Sequence, residues 1–333
     1  MQTRRIGMLT LVSMIAIGSF SQTTAPVRNP LGASQEYGGI RTFLRTPYLT
    51  SLEKLDADFA VLGVPIDMST SMRPGARYGP REIREASLAY SWPEEGFYYI
   101  DSGRTVLKGK RWVDLGDVDI LPMDIPRTSE NISMAVRGIL AKKAFPVVIG
   151  GDHSITFPVA RAYDLPAMTI VHFDAHLDSY GSGRPDTLNH ATWIPQVAKL
   201  PGVKKFVQIG MRGIVNDPWG VKGATNVGST VITAERIHRE GVQSVASMIP
   251  KSENIYVTID IDVIDPSLAP GTGTVEVGGL TFYELDELLK IVASRGKLVG
   301  MDVVEVNPYY DPTGVTAQTA ARLIIDLLGF AFG

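Results

Sequence analysis

Six residues of this chain have the types and spacing of metal ligands: His153, Asp174, His176, Asp178, Asp260 and Asp262. The middle three alternate in Thr169-Ile-Val-His-Phe-Asp-Ala-His-Leu-Asp178, and the last two in Ile255-Tyr-Val-Thr-Ile-Asp-Ile-Asp262. Alternate side chains of an extended strand share a face. The spacing therefore predicts that Asp174, His176 and Asp178 converge, and likewise Asp260 and Asp262. Four carboxylates and two imidazoles gathered at strand ends repel one another unless cations lie between them. Two divalent metals resolve that conflict, and two metals can activate a water for hydrolysis.

The elements that must position these residues follow from apolar runs. Strand-like runs lie at 59–64, 112–115, 146–149, 168–173, 206–209, 231–232, 255–261 and 298–303. Helical patterns lie between them, among them 80–90, 129–142, 281–294 and 313–328. Thr281, with Glu284 three residues on, reads as a capping box. Strands alternating with helices predict an α/β fold: one domain of three layers, α/β/α, with a mostly parallel sheet of about eight strands. Such sheets bind ligands at the carboxyl ends of their strands. His153 (after Gly150-Gly-Asp152), Asp174, Asp260 with Asp262, and Glu305 (after Met301-Asp-Val-Val304) all fall at such ends.

The remaining readings set bounds. The 333 residues carry 44% apolar and 20% charged side chains and a net charge of −3, so nothing favours nucleic acid as a partner. There is no cysteine, which excludes disulfides, thiolate nucleophiles and Cys-based zinc sites. Arg4 and Arg5 precede an apolar stretch at 6–20, so residues 4–25 read either as a signal-like segment or as an apolar arm. That stretch is short for a membrane span. The two readings imply a secreted or periplasmic and a cytoplasmic protein respectively. Residues 21–57 read as an irregular arm, with the arm or signal-like segment at 1–36 and the domain at 37–333. His172 reads as a core residue and His238 as a surface one. Gly150-Gly151 reads as a tight turn. Asp152 and Asp265 read as turn residues or as acids behind a ligand, and Asp67, Met68 and Arg73 as part of a loop near the site.

Gly150-Gly-Asp-His-Ser154, Asp174-Ala-His-Leu-Asp178 and Thr258-Ile-Asp-Ile-Asp-Val-Ile-Asp-Pro266 resemble, in order, the three signature motifs of the ureohydrolase (arginase/agmatinase) family. The segments Gly39-Ile-Arg-Thr-Phe-Leu-Arg45, Gly63-Val-Pro-Ile-Asp67 and Arg73-Pro-Gly-Ala-Arg-Tyr-Gly-Pro80 are similar to those of agmatinases. The resemblance implies an arginase-like fold, a two-manganese site and hydrolysis of a small guanidino compound to urea and an amine. It implies that Asp174 and Asp260 bridge the metals, with His153 and Asp178 completing one and His176 and Asp262 the other. A hydroxide shared by the metals would attack the guanidinium carbon and hydrogen-bond to Asp178. His190, in Leu188-Asn-His-Ala-Thr192, matches the family's proton-shuttling histidine, and Glu305 its guanidinium-binding glutamate. A homo-oligomer, a trimer or hexamer, is implied, and the apolar stretch 323–332 or the N-terminal arm could serve an interface.

The chain also departs from the family. Agmatinases usually carry His-Gly-Thr where this chain has His190-Ala-Thr192, and Trp193 stands where a smaller aromatic is common. The loop 179–188 lacks the polar residues with which arginases hold an α-amino acid, which disfavours arginine. An alternative is a guanidine, alkylguanidine or biguanide hydrolase using nickel, since carboxylate and imidazole serve both metals. Two further readings are a non-catalytic subunit supporting an active paralogue in a hetero-oligomer, and a one-zinc deacetylase. The full ligand set counts against the first, and the Asp260/Asp262 pair with Glu305 against the second.

Overall fold

A computed structural model describes residues 38–90, 93–180 and 188–333. The segment 1–36 and most of the loop 179–188 lie outside the described residues. The elements run in the order β1 (Phe59–Val64), α1 (Gly79–Ser87), β2 (Phe97–Tyr99), β3 (Arg104–Val106), β4 (Trp112–Asp117), α2 (Ile125–Ala141), β5 (Phe145–Gly150), α3 (Thr156–Ala160), β6 (Met168–Phe173), α4 (Trp193–Val197) and β7 (Val203–Met211). They continue with α5 (Pro218–Asn226), β8 (Thr230–Thr233), α6 (Ala234–Glu240), α7 (Val242–Val245), β9 (Asn254–Asp260), α8 (Phe282–Ala293), β10 (Lys297–Val304) and α9 (Val315–Phe332).

Eight of the strands form one sheet in the order β4-β1-β5-β10-β9-β6-β7-β8, every pairing parallel. Parallel strands need crossover helices, which cover both faces of the sheet. Side-chain alternation shows the two faces directly. Ile149, Phe173, Ile259 and Val303 belong to the core under α8 and α9. Val148, Ile170, Tyr256 and Val304 belong to the core under α2, α3 and α4. The expected α/β/α arrangement is therefore the one found. All eight strand-like runs of the sequence are strands, most with ends extended by a few residues, while the run 255–261 already ends at Asp260. The antiparallel hairpin β2–β3 escaped the sequence, because three residues per strand are too few to show a period. Thr281 and Glu284 form the expected capping box at the start of α8.

Two expectations are refined. The described part of 21–57 is irregular, as expected, but it is anchored: Phe43 and Leu44 are buried in the main core. Its turn-rich composition hides an anchor, since the Phe43 N–H donates to the buried Asp114 carboxylate at 2.8 Å and the Leu44 N–H to Ser87 Oγ at 2.8 Å. The C-terminal stretch 323–332 is mostly committed to the core of its own domain, with 330–332 only partly buried. It forms the core-facing part of α9, with Leu323, Ile324, Leu327 and Leu328 fully buried, and Phe332 packs edge-on against Phe59 and Phe145. Among the described residues α9 alone is long and apolar enough to cross a membrane, and most of it is buried inside the domain.

Asp114 also accepts from Arg84 Nε and Nη2 at 2.8 and 3.0 Å, so one buried carboxylate joins α1, β4 and the N-terminal segment. Asp114→Ala leaves a buried guanidinium short of its main partner and is expected to cost about 3 kcal/mol in chemical unfolding. A half-buried acid behaves differently. Burial and the neighbouring Asp326 push Asp286 on α8 up to about 7. A carboxyl whose folded pKa lies above its unfolded value loses stability as pH rises from about 4 to 7. Asp286→Asn should therefore stabilise the chain at pH 8, by roughly 1 kcal/mol after allowing for partial exposure, and leave it nearly unchanged at pH 4. Melting curves at the two pH values measure the difference.

Candidate metal centre

The site is assembled by the four central strands, β5, β10, β9 and β6, which are neighbours in the sheet. Their registers align Ile149, Val303, Ile259 and Phe173 in one row. The chain leaves the sheet just beyond that row. After β5, Asp152 caps a short turn that carries His153. Asp174 follows β6 directly, Asp260 ends β9, and Glu305 follows β10. Gly151 is required here by close approach, since a Cβ would lie 1.7 Å from the Ile66 carbonyl oxygen.

All six expected ligand-type residues meet. His153 Nδ1 lies 3.1 Å from Asp174 Oδ2, 3.1 Å from Asp178 Oδ2 and 3.3 Å from Asp260 Oδ2. His176 Nδ1 lies 3.1 Å from Asp262 Oδ2 and 3.3 Å from Asp174 Oδ1. Asp174 thus turns one oxygen to each imidazole, and the cluster has two lobes. The reason for convergence differs from the expected one. β6 stops at Phe173 and β9 at Asp260, so His176, Asp178 and Asp262 are not strand residues. Asp178 has φ 46°, a left-handed conformation that costs a non-glycine residue energy. Side chains hold the irregular stretch. Asp262 accepts from the Ala175 N–H at 3.0 Å, Asn216 from the Leu177 N–H at 2.9 Å, and Gln208 donates to the Leu177 carbonyl at 2.7 Å.

The donor set fits divalent cations. Asp174, Asp178, Asp260 and Asp262 are each 5% exposed or less, and His153 1%. Three carboxylate oxygens crowd His153 Nδ1, yet none is placed to hydrogen-bond with it. A buried nitrogen without a hydrogen-bond partner, surrounded by carboxylates, is the environment of a metal ligand. Electrostatics agrees. Burial alone would push the His153 imidazole down, but Asp174, Asp178 and Asp260 hold it well above its ordinary range. Asp260 is pushed well up by burial and then by the charges of Asp262 and Asp174. The cluster therefore demands positive charge, which protons or divalent ions can supply.

Behind these groups lies a layer that the sequence did not disclose. His153 Nε2 meets Thr258 Oγ1 at 2.8 Å, and Thr258 donates to Asp302 Oδ1 at 2.5 Å. Tyr256 and Thr156 donate to Asp302 Oδ2. His172 is a buried core residue, as expected, but its Nε2 also lies 2.7 Å from Asp174 Oδ2. The Gln208 amide donates to His172 Nδ1 at 3.2 Å, so Nε2 carries the proton and donates to Asp174. Thr258 and His172 stand two residues before Asp260 and Asp174. That spacing was the available signal. The pairing of Asp302 with Thr258 depends on sheet register, which the sequence does not show.

His190 and Glu305 come together beside the cluster. His190 Nδ1 is 3.2 Å from Glu305 Oε1, and that oxygen also accepts from the His153 N–H at 3.0 Å. Ser71 meets His190 Nε2 with its N–H at 3.0 Å and its hydroxyl at 2.9 Å. Ser69 and Ser71 were not singled out by sequence. Asp152 fixes Ser69 by accepting from its N–H and hydroxyl, and Ser69 Oγ accepts from the His190 N–H. Asp152 is thus an acid behind the site, whereas Asp265 closes a turn by accepting from Ser267, Gly278 and Gly279. Asp67 holds its own loop through Arg77 and the Gly75 N–H. Met68 packs on the core under α2, and the Arg73 guanidinium lies over the Tyr310 ring. His238 is a surface residue paired with Glu284, as expected. A cavity of about 110 Å³ opens onto His176, Asp178, Asp260 and His190, with Met72, Val215 and Val275 on its walls. Glu305 does not line it but backs His190.

The Arginase family profile matches residues 57–329. An agmatinase of Chromobacterium violaceum is 39% identical over 88% of each chain. A guanidinobutyrase of Pseudomonas aeruginosa is 34% identical over 91% of this chain and 96% of its own. Among solved structures, proclavaminate amidino hydrolase from Streptomyces clavuligerus superposes with a TM-score of 0.79 at 33% identity, over 90% of this chain and 99% of that one. The eight-stranded parallel sheet, the cluster at its carboxyl edge and these likenesses agree: the chain belongs to the arginase family, among its agmatinase-like ureohydrolases, and is a hydrolase of C–N bonds in linear amidines.

Proposed function

We propose that the chain hydrolyses an agmatine-like guanidino compound to urea and an amine with two divalent ions, Mn²⁺ foremost and Ni²⁺ second. The observation that carries this reading is the two-lobed cluster around His153 and His176, with Asp174 facing both. His153 and Asp178 would serve one ion, His176 and Asp262 the other, with Asp174 and Asp260 between them. Ions held there would supply Lewis acidity and the means to activate water near neutral pH.

The chain's own groups handle the proton and the substrate. Burial would lower the His190 imidazole, but Glu305 overrides it and pushes it up to about 9. The Ser71 N–H directed at Nε2 favours the neutral ring instead. These opposed contacts poise His190 to pass a proton from the cavity to the departing amine. Glu305 Oε1 is taken by His190 and His153, while Oε2 is buried without a partner. Glu305 does not line the cavity itself, so a guanidinium N–H would have to reach past His190 to form a charge-assisted bond with that oxygen. Asp178, with one oxygen against His153 and a place on the cavity wall, would accept a hydrogen bond from the attacking water.

A specific observation favours a second substrate reading. Met72, Val215, Val275 and Ala191 line the small cavity, which suits guanidine or an alkylated guanidine. A non-catalytic subunit is disfavoured because all six ligand-type residues are in place.

The test is urea and ammonia release by the purified chain, stripped of metal and reloaded with Mn²⁺ or Ni²⁺. Agmatine turnover under Mn²⁺ is the expected result. Turnover of methylguanidines alone would move the assignment to the second reading, and silence on every guanidine with metal bound would contradict both. Two variants separate the roles. Asp260→Ala is expected to lose bound metal and activity together. His190→Asn is expected to keep its metal, by elemental analysis, and lose about 10²- to 10⁴-fold in kcat.

A further inference from the structure

Trp193 opens α4 three residues after His190 and is fully buried. Its indole makes three contacts with the cluster. The ring stacks on the His153 imidazole with centroids 4.8 Å apart and planes 27° apart. It meets the His172 ring edge-on at 5.0 Å. Its Nε1–H donates to Asp178 Oδ2 at 2.8 Å. That same oxygen lies 3.1 Å from His153 Nδ1.

One rigid side chain therefore holds both members of one lobe. An indole has two side-chain torsions and a single donor, so it fixes what it touches at little entropic cost. The need is local: Asp178 sits at φ 46°, outside any regular element. The donated N–H occupies one lone pair of Oδ2 and settles which way the carboxylate turns. The other lobe is supported differently. Asp262 is fixed by the Ala175 N–H and by Thr274 Oγ1 at 3.1 Å, with no indole involved. A phenylalanine at position 193 could reproduce the stack but not the hydrogen bond.

We infer that Trp193 is the positioning residue of the His153–Asp178 lobe, fixing the two as a pair and setting cation affinity there independently of the His176–Asp262 lobe. This rests on the reading of the cluster as a two-ion centre. Removing a group that orients a metal ligand typically weakens binding by about 10- to 100-fold.

The experiment is a calorimetric Mn²⁺ titration of the metal-stripped full chain and of W193F. The unaltered chain should take up two ions. W193F should keep one binding event unchanged and weaken the other about 10- to 100-fold. Two unchanged events, or two equally weakened ones, would overturn the inference while leaving the two-ion centre intact. An unaltered chain that binds no ion would overturn the centre itself and the inference with it. A second measurement needs no variant. In ¹⁵N-labelled protein, one of the four tryptophan indole N–H signals should shift as Mg²⁺ is added. Four indole signals indifferent to a bound ion would overturn the inference.

Discussion

Buried like charge is the constraint on which this molecule depends. Four carboxylates that water barely reaches sit around two imidazoles at one edge of the sheet. Ionised carboxylates so placed repel each other, and burial adds a cost of several kcal/mol per charge. A fold keeps such a cluster only if positive charge occupies it. The rest of the architecture reads as the means of keeping the six groups at fixed places while that condition is met.

The parallel sheet supplies the frame. Its four central strands end in register, so loops from distant parts of the chain start from one line. Beyond that line the backbone is irregular, and two site residues, Asp178 and Glu305, adopt left-handed conformations. Fixed partners carry the precision there. Asp302 works through Thr258 on His153, Gln208 through His172 on Asp174, and Asp152 through Ser69 on His190. Each relay holds a site residue in place through a hydrogen bond, which is how a ligand is kept in a productive orientation.

How much of this was legible in the sequence varied by level. The strands were, because buried parallel strands are largely apolar runs, such as the uninterrupted one at β1. The six ligand-type residues were, because their types and spacing are rare. The reason first given for their convergence was not the right one: strand alternation stops at Phe173 and Asp260, and turns complete the geometry. The anchoring of Phe43 by Asp114 and the pairing of Asp302 with Thr258 span 71 and 44 residues of sequence. Contacts of that range depend on sheet order and register, which residue periodicity does not encode. Trp193 was noticed only as a departure in size; its donor role required coordinates.

Crystals grown with Mn²⁺ and measured at the manganese absorption edge would test the central claim most directly. The account predicts two anomalous peaks per chain, one beside His153 Nδ1 and one beside His176 Nδ1, with Asp174 between them. A single peak, or none at these two nitrogens, would contradict it.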